Sequence, residues 1–330
     1  YIYYTFNNKP AAPLLKGMRN PAGFLFLGGE VKYSKPALSF EEQADLMISR
    51  GLTADRNTLI SILQDVNYYR LSGYLYPYRI LPGDVLKPGT SLEKVWRHYT
   101  FDRQLRLAVM DGIERFEVSV KNQLINHISK TFGPFGHINQ ENFPNLKPED
   151  HAKMIEDIQR ESGRNKEEFV RHFKNKYGDT HRDLPLWMTG EIISFGCAIK
   201  MFEGLKDKNT IITHYRIPKK ILHSWLVTLN SIRNICAHHG RLWNRELGVK
   251  PLIPRENKYP QWHKPIGIEQ NRIFGILTIL NYLLSIIAPK SKWKSRLFLL
   301  LDNHPEISRR SMGFPDNWKD SPLWKLGNEN

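Results

Sequence analysis

Between Arg233 and Arg245 the sequence reads RNICAHHGRLWNR. An arginine, an asparagine and two adjacent histidines fall within seven residues. Together they can do one kind of chemistry well. A histidine near neutral pH can take a proton from an RNA 2′-hydroxyl or protect a leaving 5′-oxygen. A forked, permanently charged arginine can hold the phosphoryl oxygens as negative charge gathers on them, and an asparagine amide can orient either partner. The set therefore fits metal-free RNA cleavage, with Arg233, Asn234 and His238 as the catalytic candidates and His239 in support. The 2′-hydroxyl would confine such a reaction to RNA.

A plainer reading competes. His238 and His239 fall where a helix ends, and cations are favoured there by the helix dipole. Gly240 suits the C′ position that closes a helix. Arg233 could pair with a core acid such as Glu191, which lies four residues from both Trp187 and Phe195 inside an apolar stripe and so must be paired, hydrogen-bonded or shifted in pKa. Other chemistries fit less well. Cys236, His238 and His239 lack a second ligand pair at zinc spacing, and Cys236 lies on an apolar face where thiols are inert. There is no P-loop, no G-x-G-x-x-G and no H-E-x-x-H. No metal and no cofactor is expected.

Helices must position this cluster. The segment from Pro218 to Gly240 reads as one helix, with Leu222, Trp225, Leu226, Leu229, Ile232 and Cys236 on its buried face and Asn230, Asn234 and His238 on a polar one. Residues five apart on a helix differ by roughly 140° and about 7.5 Å of rise. Arg233 and His238 thus do not share a face. Either the arginine leans round, or a second copy of the helix completes the site.

The remaining chain also reads as helical, with no strand series and no internal repeat, so the expected class is all-α. Ser39 and Glu42 form a capping-box signal ahead of a first helix stopped by Gly51. A second short helix over RNTLISILQDV permits a helix-turn-helix DNA-binding regulator, against which counts the lack of a basic face. Steps of three and four from Leu92 to Leu124 predict a bundle spine over Ser91–Ile128, with Glu117 and Lys121 as an i,i+4 pair. LPLWMTGEIISFGCAIKMF predicts one further helix from Pro185 to Phe202. IFGILTILNYLLSIIA, Ile273–Ala288, is short for a membrane span and carries Thr278, Asn281 and Ser285, so a core helix is expected and no membrane partner.

The expected organisation is an arm over 1–37, an N-terminal helical subdomain over 38–88, a bundle over 89–290 with an inserted region near 135–182, and a basic helix and tail over 291–330. No basic segment followed by an apolar one opens the chain, so no secretory signal is expected. With only Cys197 and Cys236, a reducing cytoplasm is the expected compartment.

The formal net charge of the 330 residues is +15, which favours a polyanionic partner. Between Lys206 and Lys264 there are 12 Lys and Arg against 3 Asp and Glu, a net of +9 that flanks the cluster. Trp243, Tyr259 and Trp262 are interleaved with these charges, as in an RNA track. Lys219, Lys220, Arg241, Trp243 and Arg245 are the RNA-contact candidates here. Tyr69, Arg70 and Arg79 are further ones, in NYYRLSGYLYPYR. That stretch equally suits a structural joint.

RNICAH also matches the R-x4-6-H signature of HEPN ribonucleases, with asparagine directly after the arginine. Taken with KPALSFEEQADLMISRGL, NYYRLSGYLYPYR, FDRQLRLAVMDGIERFEVSVKNQL, LPLWMTGEIISFG and SIRNICAHHGRLWNR, in that order, the chain resembles the Abi-like family of abortive-infection proteins, AbiD and AbiF, over about residues 35–287. The resemblance implies a HEPN-type helical bundle with additional N-terminal helices. It implies a metal-independent endoribonuclease, with two motifs meeting across a dimer or pseudo-dimer, and the expected assembly is a homodimer or RNA-bridged. It also implies antiphage toxin–antitoxin behaviour under restraint by a small noncoding RNA. Arg233 and His238 match the two signature positions and Asn234 the polar position after the arginine. A non-catalytic RNA-binding protein of the same fold is the alternative.

Overall fold

The computed structural model describes residues 36–325. The expected N-terminal arm lies, up to residue 35, outside the described residues. From Phe40 onward the chain is one compact unit. Among the described residues there are twelve α-helices and no β-strand, only isolated bridges at Thr53–Ser91 and Arg79–Leu86. The all-α expectation holds.

The first helices are α1 (Phe40–Ser49), α2 (Arg56–Asp65) and α3 (Tyr68–Leu75). The α1–α2 pair packs as a hairpin. Gly51, at φ +101°, takes the left-handed position that ends α1, and the amides of Gly51 and Leu52 bond back to Ile48 and Met47. Arg56, the one basic residue of α2, is held by Asp45 at 2.7 Å. No basic recognition face is left.

The spine is α4 (Leu92–Phe132), 41 residues and about 60 Å long. Ser91 caps it by accepting the Lys94 amide at 3.3 Å, and Gly133, at φ +81°, closes it. Its apolar steps are buried from Val95 through Phe116 to Ile128. Around it pack α3, α7 (Leu186–Ile192), α8 (Phe195–Gly204), α9 (Asn209–Tyr215), α10 (Lys219–Ala237), α11 (Ile273–Ile287) and α12 (Trp293–Asp302). The polar stretch that follows α4 supplies α5 (Pro148–Arg164) and α6 (Glu168–Tyr177).

The apolar helix α11 is almost wholly buried against α4. Among the described residues no helix is long and apolar enough to cross a membrane. Its polar side chains are bonded by the chain's last described turns: Trp324 Nε1 donates to Thr278 Oγ1 at 3.0 Å, and Asn281 Nδ2 donates to the Leu323 carbonyl at 2.5 Å. The tail after α12 is therefore core, with Trp324 stacked on Phe274 and Phe314 and Trp318 packed against it at steeper angles.

One expected helix is two. The run from Pro185 breaks at Ile193, whose ψ of 150° is extended, and Ser194 Oγ caps the next helix by accepting the Cys197 amide at 3.2 Å. A serine can bond the backbone locally instead of continuing a helix, and here it does. The break rotates Glu191 out of the expected apolar stripe. It is exposed, and Trp187 is 51% exposed.

Burial at Asp102 joins three elements. Its carboxylate, fully buried on α4, accepts from Tyr74 Oη of α3 at 2.6 Å and from Arg106 Nη1 at 2.5 Å. It also accepts the amides of Leu242 at 3.0 Å and Trp243 at 2.7 Å, just beyond α10. Burial pushes this carboxyl up from the ordinary range, and the four donors oppose that push. Removing it leaves Arg106 buried without its counter-charge. Asp102→Ala should cost about 3–5 kcal/mol in urea unfolding, the scale of a broken buried ion pair.

His137, in the turn after α4, is 1% exposed, and neither ring nitrogen has a hydrogen-bond partner among the described residues. Burial pulls it down to about 4, with Asp183 opposing and His151 adding. The folded value lies below the ordinary 6.5, so the unfolded chain binds the proton first as pH falls. Stability should be complete above pH 6.5 and decline by up to about 3 kcal/mol toward pH 4. In His137→Leu, unfolding curves against pH should be flatter across that window.

Candidate active site

Helix α10 presents the cluster. Pro218 precedes its first turn, and Leu222, Trp225, Leu226, Leu229, Ile232 and Cys236 are buried as the spacing predicts. Seating that face fixes where the polar residues point. Asn234 and His238 are exposed, and Arg233 is half-buried at the edge.

The end of the helix differs from the sequence expectation in one residue. Ala237 is its last residue and His238 its C-cap. His239, not Gly240, takes the left-handed C′ position, at φ +57°. The His239 amide bonds the Cys236 carbonyl at 3.0 Å and the Gly240 amide bonds that of Ile235 at 2.8 Å, the paired bonds of a Schellman end. Gly240 serves another need. A Cβ there would meet Ile235 Cγ2 at 3.1 Å and the Ile235 carbonyl oxygen at 3.2 Å. The left-handed turn is held from outside by Arg70 of α3, whose Nη1 donates to the His239 carbonyl at 2.6 Å.

Arg233 reaches a cleft of about 580 Å³ between α4, α5, the α7–α8 junction and α10. Among the described residues it makes no ion pair; its one hydrogen bond is from Nη1 to Asn234 Oδ1 at 3.5 Å. Pairing with Glu191, the plainer reading, is absent. His238 does not line the cleft, and no bond joins it to Arg233. Cys236 faces the core while both histidines face outward, so the three do not converge. Burial pushes the Cys236 and Cys197 thiols up to about 12, far from nucleophilic thiolates.

The expected RNA-contact residues divide. Tyr69 is 75% exposed beside Arg70, on the element that touches the end of α10. Lys219 and Lys220 are exposed but lie at the far end of α10, about 20 Å from Arg233 along the helix. Arg245 is half-buried, its Nη1 donating to the Arg241 carbonyl at 3.3 Å. Three are structural. Arg79 pairs with Asp84 at 3.0 Å, and half-buried Arg241 donates to the Gly73 carbonyl. Trp243 is 3% exposed against His98, because the chain after Gly240 turns inward to the Asp102 carboxylate. Trp262 is buried as well, against Trp225 and Tyr282. Two of the three aromatics of the expected track are therefore core, and the third, Tyr259, is half-buried against it.

Sequence reasoning missed the cleft's other residues. Glu117 and Lys121 form the expected i,i+4 pair at 2.9 Å, but both side chains are largely covered and line the cleft. Lys200 joins them through the break at Ser194, and the unbroken helix expected there hid it.

The family described as Abi-like protein matches residues 61–244, more than half of the chain, from within α2 to just past the end of α10. The match points to a role in abortive infection. No curated protein and no solved structure matches the chain.

A left-handed conformation costs a residue other than glycine about 1–2 kcal/mol, partly offset by glycine's greater freedom when unfolded. His239→Gly should therefore raise stability by about 0.5–1 kcal/mol in thermal or urea unfolding. His239→Ala should not.

Proposed function

This chain belongs to the Abi-like protein family, and from that premise we propose that it is an endoribonuclease of the HEPN type that acts in antiphage abortive infection. The observation that carries the reading is the state of Arg233. It is half-buried, its one bond is to the neighbouring Asn234, and no carboxylate neutralises it among the described residues. A structural arginine in such a place would be paired, as Arg106 is.

In the proposed reaction the substrate's 2′-oxygen attacks the adjacent phosphorus. Its proton goes to a general base, the bond from phosphorus to the 5′-oxygen breaks, and a general acid protonates that oxygen. The products are a 2′,3′-cyclic phosphate and a 5′-hydroxyl. His238 serves as acid or base, Arg233 holds the non-bridging oxygens, and Asn234 orients Arg233 through the 3.5 Å contact. Glu191, exposed and without an ion-pair partner among the described residues, has no part in this scheme.

Arg233 and His238 leave the helix on different sides, so a complete site calls for a second helix end. We therefore include a homodimer in the proposal, with His238 of one copy acting beside Arg233 of the other. Tyr69 and Arg70 flank that end, where an exposed ring can stack a base. Restraint by a small noncoding RNA belongs to the same proposal and rests on the family resemblance. The second reading, RNA binding without cleavage, is favoured by the absence of any Arg233–His238 contact within one chain.

Single-stranded RNA incubated with chelator separates the two. Wild type and His239→Gly should yield cyclic-phosphate ends, while Arg233→Ala and His238→Ala should be at least 100-fold slower. Equal cleavage by both alanine variants removes the site, and loss of wild-type cleavage in chelator removes the metal-free scheme.

A further inference from the structure

The cleft beside Arg233 holds more charge than the proposed reaction uses. Four cations line it: Lys121, Arg160, Lys200 and Arg233. Three carboxylates line it too, and each is engaged. Glu117 is paired with Lys121 at 2.9 Å, Asp157 with Arg160 at 2.5 Å, and Glu161 with Arg160 at 3.8 Å. Among the described residues Lys200 makes no ion pair, nor does Arg233. The lining thus carries a net charge of +1, and Lys200 and Arg233 are its two cations that no carboxylate contacts within ion-pair distance. Lys200 is also half-buried, where a lone ammonium is less well hydrated than at an open surface.

We propose that Lys200 and the cleft floor form a phosphate subsite that seats the RNA nucleotide adjoining the scissile one. The inference rests on the RNA reading of Arg233. The cleft's volume, about 580 Å³, lies within the range of ordinary ligand sites. Ser194 contributes a donor: its oxygen accepts the Cys197 amide, which leaves the hydroxyl proton free for a phosphate oxygen. Half-buried Ile192 is the apolar lining residue left open to a sugar or base, with Met154, Ile158 and Ile193 buried behind the polar groups. Lys200 is fixed to its place by α8, whose neighbouring Ala198 and Met201 are buried. Lys200 is a positioning residue here, one step removed from the reacting phosphorus.

Binding tests this without requiring cleavage. Lys200→Ala is made in the His238→Ala chain, and a fluorescent single-stranded RNA of about ten nucleotides is titrated across salt concentrations. The affinity should fall about five- to tenfold, and the slope of log K against log salt should shrink by about 0.7, the loss of one phosphate contact. Lys200→Arg should restore both. In the cleaving chain, Lys200→Ala should raise KM on that RNA and leave kcat unchanged, while a dinucleotide with one phosphodiester should be cut as by wild type. Unchanged affinity and slope overturn the subsite, whatever the chain does to RNA. No measurable RNA binding by either chain overturns it as well. A normal binding loss with no wild-type cleavage upholds the subsite and sinks the nuclease reading alone.

Discussion

The structure depends on one buried carboxylate. Asp102, fully buried, lies at the point where α3, α4 and the chain leaving α10 meet. Three of its donors can only donate: two backbone amides and a guanidinium. These donors favour the ionised form against the burial that raises its pKa, and a carboxylate in that place tolerates few other arrangements of neighbours. The exit from α10 takes its direction from this requirement. It must deliver the Leu242 and Trp243 amides to Asp102, so it turns inward directly after Gly240. The histidines immediately before that turn are left outside. The exposure of His238 follows from the burial of Asp102.

Much of the fold was legible because its helices are long and their apolar steps regular. The stripe from Val95 to Ile128 and the face from Leu222 to Cys236 each repeat often enough to fix a helix and its buried side. The core helix at Ile273–Ile287 was legible from its length and from three polar residues within it. What those residues bond was not, because Thr278 and Asn281 answer to Trp324 and Leu323, more than forty positions away. The break at Ser194 was hidden for a local reason. Serine is tolerated within a helix and favoured at its start, and the apolar pattern runs on through both helices.

The candidate site was legible in its parts and not in its grouping. Arg233, Asn234 and His238 could be read from types and spacing, including the divergence of the first and last. The role of Gly240 could not. Glycine is the usual residue for the left-handed position, so sequence places it there, whereas the close approach of Ile235 favours it one position later. Charge misled in the same way. Arg241 and Arg79 count toward a basic surface in sequence, yet each is consumed by a carbonyl or a carboxylate of the fold. Unpaired charge, which only the folded arrangement reveals, is what marks Arg233 and Lys200.

The bond from Arg70 to the His239 carbonyl spans 169 positions. It ties the tyrosine-rich helix α3 to the end of α10. The left-handed turn at His239 is unfavourable by itself, so its population depends on what Arg70 contributes. Anything that binds α1–α3 and favours one position of Arg70 therefore changes the free energy of the histidine pair. Linkage makes that effect reciprocal. RNA engaged at His238 in the proposed site would, by the same linkage, alter whatever binding moves Arg70.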